Sequence, residues 1–381
     1  MAAGTLTFFI ILSTLALAYV IVIYMITRGW HRTSTFRRKS LVPTVPTVSI
    51  IIAVRNESMT ISKCIAGLME QDFPKRLMEI IVVDDHSEDQ TLQILNQLSK
   101  SSFEVKIGVL SLNGLHGKKE AIRLAMQFAS GSFILCTDAD CTHPPGWVSA
   151  MAGFYEDKKP VFISGPVLLD SFGDFFGRFQ ELEFMSLVAS GAGAIGIGMP
   201  IMCNGANLGF SAEAYRSLNE NAMKPEFTSG DDVFIMLAFR EVFGSKGIAF
   251  VKSRDAIVKA EANRTIAGFF RQRMRWVSKS RGYRDPFLIF SAVTVMFMNS
   301  GILVFAVAGT IDAQYFIFAI GLLLAKTITD FPLLVSFSRF AGMKNPGWII
   351  PVFEPLVVLI TAITALAGNF VRNSWKGRRI Q

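Results

Sequence analysis

The sequence predicts an α/β domain, with a mostly parallel sheet covered by helices on both faces, flanked by transmembrane helices. Three observations predict this fold class. Between residues 48 and 250, short apolar runs of strand length alternate with segments whose apolar residues have helical spacing. Hydrophobic residues make up 51% of the chain and charged residues only 18%, which is too apolar for an ordinary soluble protein. Long uncharged tracts near both ends account for the excess.

The first of these tracts covers residues 6–26 and is long enough, at about 1.5 Å per residue, to cross a bilayer core of about 30 Å. A cleaved secretory signal is the alternative, since Ala16-Leu17-Ala18 resembles a cleavage site. The chain starts without a positive charge, and the apolar run continues past Ala18. We therefore predict a retained transmembrane helix over residues 1–27.

A basic linker is predicted at residues 28–47, with no acidic residue before Glu57. Because positive charge accumulates on the cytoplasmic side of membrane helices, this linker predicts that the following domain is cytoplasmic. The cations are Arg28, Arg32, Arg37, Arg38 and Lys39.

The net charge and the spacing of the cysteines argue against nucleic-acid binding and against a cysteine-based metal site or disulfide framework. The net charge of +8 fits membrane topology and lipid contact, and no groove-reading motif is present, so we predict no nucleic-acid partner. The four cysteines have no paired spacing, which predicts reduced, buried thiols rather than a metal site or disulfides. They are Cys64, Cys136, Cys141 and Cys203.

The alternating region defines the order of the sheet. Strands are predicted over residues 48–53, 79–84, 105–111, 133–138 and 161–165, and helices over residues 59–70, 88–100 and 118–130. Ser58 and Ser87 are placed to cap helix starts. Ligands of such sheets bind beyond the carboxyl ends of the strands, where Asp84 and Asp138 lie.

Two acidic motifs stand at those strand ends. Asp84-Asp85 can accept hydrogen bonds from a nucleoside, or it can cap the next helix. Asp138-Ala139-Asp140 presents two carboxylates that can share a divalent ion, because Mg²⁺ and Mn²⁺ prefer oxygen ligands and bridge phosphates. Asp-x-Asp triplets are common by chance, so it is the position of this one at the end of a strand that makes it a candidate metal site.

Two more polar motifs follow. Gly230-Asp231-Asp232 precedes an apolar helix, and its carboxylate can serve as a general base or as a helix cap. Gln272-Arg273-Met274-Arg275-Trp276 combines cations, an amide and an indole just before a long apolar tract. Arginines can neutralise a leaving diphosphate and the indole can stack on a sugar, although a juxtamembrane basic cluster with an interfacial Trp is the alternative.

In this order the motifs resemble the membrane-bound family 2 glycosyltransferases, the superfamily of cellulose, chitin, hyaluronan and poly-N-acetylglucosamine synthases and of ceramide glucosyltransferase. The resemblance covers about residues 48–276 and implies a GT-A domain with a Rossmann-like sheet. The implied organisation is a cytoplasmic catalytic domain at 48–285 with interfacial helices, about three membrane segments within 286–371, and a basic tail at 372–381. It also implies an integral protein of a bacterial inner membrane.

The resemblance implies roles for residues of the donor site. Ala53 and Glu57 match the first nucleotide-contacting strand, and Asp84 matches the aspartate that binds the base and ribose. Lys118, in His116-Gly117-Lys118-Lys119, matches a lysine that approaches the donor. Asp138 and Asp140 match the DxD element, with Asp140 as the ligand of Mg²⁺ or Mn²⁺.

The remaining roles concern transfer itself. Asp232 matches the catalytic base, with Asp231 in place of the usual glutamate. Gln272, Arg275 and Trp276 match the QxxRW motif, in which Arg275 would assist departure of the diphosphate. Residues 202–207 match the acceptor-proximal loop, but their polar content differs from the cellulose synthase version.

The implied reaction is an inverting, metal-dependent transfer of a sugar from a nucleotide sugar, with UDP as the family default. About four membrane segments provide few helices to line a channel for a polymer, so we expect a lipid or lipid-linked acceptor. A processive polysaccharide synthase is the alternative within the family. A non-catalytic scaffold or export subunit is an alternative of another class, as is a nucleotidyltransferase, which would not need the motif at residues 272–276.

Apolar tracts at residues 287–308, 315–335 and 348–371 are each long enough to span. One amino-terminal and three carboxyl-terminal crossings would leave the basic tail outside, against the charge bias. Pro351, Glu354 and Pro355 therefore predict a broken or re-entrant last segment. The phenylalanines of residues 172–185 have helical spacing and predict either an interfacial helix or a buried one.

Overall fold

The computed structural model describes residues 2–37, 45–102, 104–114, 116–218, 231–343, 346–368, 374–375 and 378–379. The chain divides into two compact units. The sheet unit consists of Thr33–Phe172, Met202–Ala262 and Ser374–Gln381. The helical unit consists of Met1–Arg32, Gly173–Ile201 and Asn263–Asn373. Residues 173–201 and 263–285, which the sequence assigned to the catalytic domain, thus group with the apolar helices.

The sheet unit is built on a seven-stranded sheet with the strand order β3-β2-β1-β4-β8-β6-β9, and a second sheet has the order β5-β10-β7. The strands are β1 (Val48–Val54), β2 (Met78–Asp84), β3 (Lys106–Ser111), β4 (Phe133–Asp138), β5 (Cys141–Thr142), β6 (Phe162–Ser164), β7 (Val167–Asp170), β8 (Leu208–Ser211), β9 (Ile248–Phe250), β10 (Val258–Glu261), β11 (Ser374–Trp375) and β12 (Arg378–Arg379). Its helices are α2 (Ile61–Met69), α3 (Thr91–Ser101), α4 (Lys118–Phe128), α5 (Trp147–Lys158), α7 (Ala212–Arg216) and α8 (Asp231–Phe243).

The first four strands of this sheet are parallel, with β1 between β2 and β4. β1 and β2 are almost entirely buried, which is why they read as continuous apolar runs rather than alternating ones. In the register, Val54 lies beside Asp84 and Ala53 lies beside Asp138. The carboxyl ends of three strands therefore meet at one edge of the sheet.

The predicted strands and helices of this region agree with the structure to within about three residues at each boundary, but the predicted helix caps are wrong. α2 and α3 follow Thr60 and Gln90, and neither of these residues caps its helix through its side chain. Ser87 instead accepts a hydrogen bond from the Asn56 N–H at 3.0 Å. Its hydroxyl ties two loops together, a contact between distant segments that local sequence does not encode.

The thiol prediction is correct for three of the four cysteines. None of the four, all of which lie in the described part of the chain, forms a disulfide bond, and Cys64, Cys136 and Cys141 are buried. Burial raises the pKa of Cys64 and of Cys136 to about 12, so these thiols are protonated at neutral pH. Cys203 is only partly buried, because it lies in a loop rather than in a strand or helix.

The helical unit contains six helices among the described residues: α1 (Ala2–Arg32), α6 (Phe175–Gly196), α9 (Ile266–Ser278), α10 (Pro286–Ala308), α11 (Gln314–Ala341) and α12 (Pro346–Ala367). Within the part of the chain that the structure describes, four segments are long and apolar enough to cross a membrane: Ser13–Arg32, Pro286–Ala308, Gln314–Ala341 and Gly347–Leu366. This is the predicted number, and it indicates a membrane protein.

The helix α6 packs directly on α1. A Cβ added to Gly193 would lie 2.2 Å from the Ile26 carbonyl oxygen, and one added to Gly29 would lie 1.9 Å from the Gly193 carbonyl oxygen. Only glycine permits so close an approach of two backbones. From Gly177 onward most of α6 is buried, so the interpretation as a buried helix applies there, while Phe172 and Phe175 are exposed.

The predicted break in the last apolar segment is wrong. α12 is one helix that contains both Pro351 and Pro355. Glu354 is tolerated inside it because Lys326 of α11 donates to Glu354 Oε2 at 2.5 Å. Most of the tail, including Arg372 and Lys376, lies outside the described residues, as do Arg38 and Lys39 of the linker.

Candidate active site

The edge of the sheet where β1, β2 and β4 end carries the first carboxylate of the site. Asp84 is buried, and its Oδ2 accepts a hydrogen bond from the Ser87 N–H at 3.1 Å. Its Oδ1 is also buried but receives no hydrogen bond from any described residue. A buried carboxylate oxygen without a donor is unusual, and it is suited to accept one from a ligand.

The neighbouring Asp85 organises the loop that follows β2. Its Oδ2 accepts from the Gly117 N–H at 2.9 Å. Arg55 Nη1 donates to the carbonyl oxygens of Asp85 and His86, at 2.8 and 2.6 Å. Asp85 therefore joins the loop after β2 to the loop before α4, and the two aspartates differ in role although they are adjacent.

Lys118, the first residue of α4, forms an ion pair with Asp138 at the end of β4. Its Nζ also donates to the Gly205 carbonyl oxygen at 2.9 Å. Burial by itself lowers the pKa of Lys118, but the facing Asp138 carboxylate outweighs burial and holds that pKa above its ordinary value. Lys118 is therefore a fixed cation next to the DxD element.

The Gly205 peptide links this cation to the candidate base. Gly205 N–H donates to Asp232 Oδ2 at 3.1 Å, while the carbonyl oxygen of the same residue accepts from Lys118. A Cβ on this glycine would lie 2.8 Å from Lys118 Nζ and 3.5 Å from Asp232 Cβ. The structure thus brings Lys118, Asp138 and Asp232 together, although they are far apart in sequence.

The rest of the acidic motifs are only partly described. Asp232 lies in the first turn of α8, where its Oδ1 accepts from the Val233 N–H at 2.9 Å. Gly230 and the side chain of Asp231 lie outside the described residues. Glu57 is partly buried in the loop after β1, and its Oε2 accepts from the Thr60 hydroxyl at 2.7 Å.

Asp138 and Asp140 have the chemistry of a site for a hard divalent cation. The Asp138 carboxylate, at the end of β4, is 39% exposed. Asp140, two residues further along the chain, is also exposed. Carboxylate oxygens that solvent can reach are the ligands that Mg²⁺ and Mn²⁺ prefer. The residues present therefore fit the predicted metal.

Sequence reasoning missed a polar network next to Asp138, formed by the buried Thr137 and the partly buried His143. The Thr137 hydroxyl donates to the Ala206 carbonyl oxygen at 2.9 Å, so it accepts from His143 Nε2 at 2.7 Å. Nδ1 of His143 is buried without a partner among the described residues. Burial lowers the pKa of His143 to about 4, so the ring is neutral at pH 7. No sequence signal marks it, since a lone histidine has no characteristic spacing.

Asn207 holds the predicted acceptor-proximal loop in place. Its side chain is fully buried and donates to the carbonyl oxygens of Pro166 and Ala256, both at 2.8 Å. Trp147 Nε1 donates to its Oδ1 at 3.0 Å. This asparagine has a structural role, and it explains part of the polar content of residues 202–207.

In the helical unit, α9 carries the QxxRW residues. The buried Arg273 donates through Nε to Glu183 Oε1 at 2.8 Å and through Nη2 to Glu183 Oε2, so the pair is bidentate. Its guanidinium lies 4.2 Å from the centroid of the Trp276 ring. Gln272 Oε1 accepts from Arg273 Nη1 at 2.6 Å and from Asn263 Nδ2 at 3.0 Å.

Arg273 therefore organises the motif from a position between Gln272 and Trp276, a role that the sequence did not assign to it. Arg275 lies on the same helix and is partly buried. The predicted roles of Gln272, Arg275 and Trp276 toward a donor stay predictions.

Two family models match the chain. One, described as Glycosyl transferase family 2, matches residues 49–214. The other, described as Glycosyl transferase family group 2, matches residues 133–341, which is more than half of the chain.

Several curated proteins are similar in sequence. The N-acetylglucosaminyltransferase of Rhizobium meliloti (strain 1021) is 24% identical over 337 residues, covering 86% of this chain and 74% of that protein. Probable glycosyltransferase YdaM of Bacillus subtilis (strain 168) is 29% identical, covering 47% of this chain and 45% of that protein. The beta-monoglucosyldiacylglycerol synthase of Trichormus variabilis is 31% identical, covering 27% and 22%. The chain thus spans less than half of the length of the first curated relatives that it matches.

Among solved structures, the mannosyltransferase PcManGT from Pyrobaculum calidifontis, in complex with GDP-Man and Mn²⁺, superposes with a TM-score of 0.56. It is 16% identical, and the match covers 94% of this chain and 97% of that one. At this identity the likeness concerns the fold alone. It confirms the predicted α/β fold of the GT-A kind, and the candidate membrane-spanning helices of the described residues flank this sheet domain in the sequence.

Proposed function

Because this chain belongs to the glycosyl transferase family group 2, we propose that it transfers a sugar from a nucleotide sugar to a lipid or lipid-linked acceptor at a membrane. Two observations favour a lipid acceptor over a soluble one. Four helices of the described chain are long and apolar enough to span a bilayer. A relative similar over 27% of the chain is named a beta-monoglucosyldiacylglycerol synthase.

The donor is proposed to bind at the carboxyl edge of the sheet. The buried, unpartnered Oδ1 of Asp84 would accept a hydrogen bond from the base or ribose, beside Ala53 and Glu57. Lys118 would offset negative charge on the diphosphate, and its ion pair with Asp138 holds it beside the DxD element. UDP is the proposed nucleotide.

Asp140, with Asp138, would hold Mg²⁺ or Mn²⁺. When bound, the ion supplies positive charge that stabilises the departing nucleoside diphosphate. The protein's own contribution is to keep two carboxylates at a strand end that solvent reaches.

Asp232 is the proposed general base. Its carboxylate would take the proton of an acceptor hydroxyl as that oxygen bonds to the anomeric carbon and the bond from this carbon to the diphosphate oxygen breaks. A single displacement of this kind inverts the anomeric configuration. The link from Asp232 through the Gly205 peptide to Lys118 is the observation that supports the proposal best, because it holds a base and a cation in one site.

The assignment of Gln272, Arg275 and Trp276 to the leaving diphosphate and the sugar is proposed from the motif. Arg275→Ala should lower the rate of transfer, whereas Arg271→Ala, on the same helix and exposed, should leave it near that of the unsubstituted chain. Equal rates for both variants would remove Arg275 from the mechanism.

Incubation of the full chain in native lipid with a panel of labelled nucleotide sugars tests the function. Label in the lipid extract is the expected result, and it should require Mg²⁺ or Mn²⁺. Label in a high-mass polymer would instead establish the processive synthase. Release of no nucleoside diphosphate from any donor would favour the non-catalytic scaffold.

A further inference from the structure

Three potential metal ligands lie close together beside the donor edge, in a group that none of the roles proposed above for transfer uses. Asp85 Oδ1 lies 3.0 Å from His86 Nδ1 and 3.6 Å from His116 Nδ1. The two imidazole nitrogens lie 3.2 Å from each other. One carboxylate oxygen and two ring nitrogens therefore form a small triangle.

The size of this triangle matches one face of a tetrahedral zinc site. Ligand atoms about 2.0–2.1 Å from a zinc ion at tetrahedral angles lie about 3.3 Å from one another. The three observed separations, 3.0, 3.2 and 3.6 Å, bracket this value. The side chains of His86 and His116 are 35% and 45% exposed, so an ion from solution could reach their ring nitrogens.

A cation would connect these three atoms more completely than hydrogen bonds can. A hydrogen on His86 Nδ1 can be donated to Asp85 Oδ1 at 3.0 Å, but His116 Nδ1, at 3.6 Å from that oxygen, is too far away for a hydrogen bond. A cation would bind the lone pairs of both rings and of the carboxylate at once.

The backbone holds the three ligands in this arrangement. His86 has a φ of 57°, in the left-handed region that costs energy for most residues. Arg55 Nη1 fixes this loop through the carbonyl oxygens of Asp85 and His86. Gly117 N–H orients the Asp85 carboxylate through its other oxygen, as outer contacts do for metal ligands.

We propose that Asp85, His86 and His116 form a binding site for a transition-metal ion of the zinc class, separate from the divalent ion assigned to Asp138 and Asp140. Imidazole ligands favour Zn²⁺ over Mg²⁺, whereas the all-carboxylate DxD pair favours the harder ions. The two sites would therefore select different metals.

The site would brace the loops that carry the donor-binding residues. Asp85 follows Asp84, and His116 precedes Lys118 by two residues. An ion that joins the two loops would hold Asp84 and Lys118 at a fixed separation. Binding of the ion does not depend on the proposed transfer reaction, so it can be tested without activity.

The test is titration of the metal-stripped full chain with Zn²⁺ in detergent, with Mg²⁺ in excess and with a purification tag that contains no histidine. Competition with a fluorescent zinc chelator measures the affinity. We expect about one tight zinc ion per chain, and a rise in the unfolding temperature on binding.

His86→Asn and His116→Gln should each lose the tight site. Asparagine is chosen because it tolerates a left-handed backbone, so the loop can keep its conformation. His31→Gln, at an exposed histidine of α1, and Asp140→Asn should retain the site. Unfolding curves without zinc show whether each variant is folded.

The proposal is overturned if the unsubstituted chain binds no zinc in the presence of Mg²⁺. It is equally overturned if the two folded histidine variants bind zinc as tightly as the unsubstituted chain, or if Asp140→Asn alone removes the site.

Discussion

At the scale of single residues, the Gly205 peptide determines the geometry of the candidate site. Its N–H binds Asp232 and its carbonyl oxygen binds Lys118, so one planar group fixes both side chains. Neither interaction was predictable from sequence, because each joins segments that are remote along the chain. The candidate aspartates could be found from the sequence, since they end buried strands or begin a helix, whereas Lys118 was indicated only by the resemblance of residues 116–119 to a loop of the family.

Asp232→Asn should lower the rate of transfer by about 10² to 10⁴, the usual contribution of a general base, while donor binding changes little. Asparagine keeps the shape and an oxygen that can accept from Gly205, but it takes no proton. Rates of transfer and donor affinities, measured separately, check this. Asp157→Asn, at an exposed position, is the matched control; full activity of Asp232→Asn would exclude this base.

Gly205→Ala should weaken donor binding, because the added methyl would lie 2.8 Å from Lys118 Nζ and displace the lysine from Asp138. Gly67→Ala is the matched control, since a methyl there meets no atom within 4 Å. Donor affinity by calorimetry distinguishes the two. Equal affinities would show that the position of Lys118 is not important for binding.

His143 should make stability depend on pH in the acidic range. Its pKa is lowered by burial from the ordinary 6.5 to about 4, so the unfolded chain binds the proton more readily between these values. Acidification from about pH 6.5 to 4 should then cost up to about 3 kcal/mol of unfolding free energy.

His143→Gln keeps a donor for Thr137 and does not titrate, so its stability should vary less over the same pH range. His31→Gln should keep the original dependence, because that side chain is exposed. Denaturant unfolding at several pH values measures both. Identical pH profiles for the two variants would contradict the assignment.

At the scale of elements, paired charges explain how α11 and α12 keep polar residues within apolar helices. Lys326 donates to Asp330 Oδ2 at 2.7 Å as well as to Glu354, and the Tyr19 hydroxyl donates to Asp330 Oδ1 at 2.7 Å. Ionisable groups within such helices are costly unless they are paired. The sequence shows Glu354 without its partner, and this charge, together with Pro351, Pro355 and the basic tail, predicted a broken segment where the helix is continuous.

Lys326→Met should destabilise the helical unit by about 3–5 kcal/mol, because it leaves the buried Glu354 carboxylate without its cation and also removes this cation from the partly buried Asp330. Lys158→Met, which removes an exposed ion pair, should cost less than about 1 kcal/mol. Thermal unfolding in detergent gives both values. A Lys326→Met protein as stable as the Lys158→Met protein would show that the network contributes little.

At the scale of the whole molecule, hydrophobic periodicity predicted the two kinds of architecture but not which segments belong to each. The strands were predictable because buried parallel strands are continuous apolar runs. The assignment of residues 173–201 was not, because α6 is apolar enough for the core of a sheet domain. Its contacts with α1 and, through Glu183, with Arg273 of α9 join segments that are remote along the chain. The His86 and His116 pair was equally hidden, since the two residues are separated by a helix and a strand.

The sheet unit is proposed to face the cytoplasm of a bacterial inner membrane, because the linker after α1 is basic. Added protease should then digest residues 45–170 in inverted membrane vesicles but not in intact spheroplasts. A membrane protein with a periplasmic domain is the control, because protease should digest that domain in spheroplasts but not in sealed inverted vesicles. Digestion in intact spheroplasts would reverse the orientation.

The glycine contact between α1 and α6 also sets an order of events during synthesis. α1 leaves the ribosome first, yet its partner begins only at Phe175. At about 5–20 residues per second, roughly 7 to 30 s pass before α6 emerges. During that interval α1 is in the translocon or the lipid and cannot yet pack on α6. Assembly of the helical unit is therefore completed late, after α1 has been inserted.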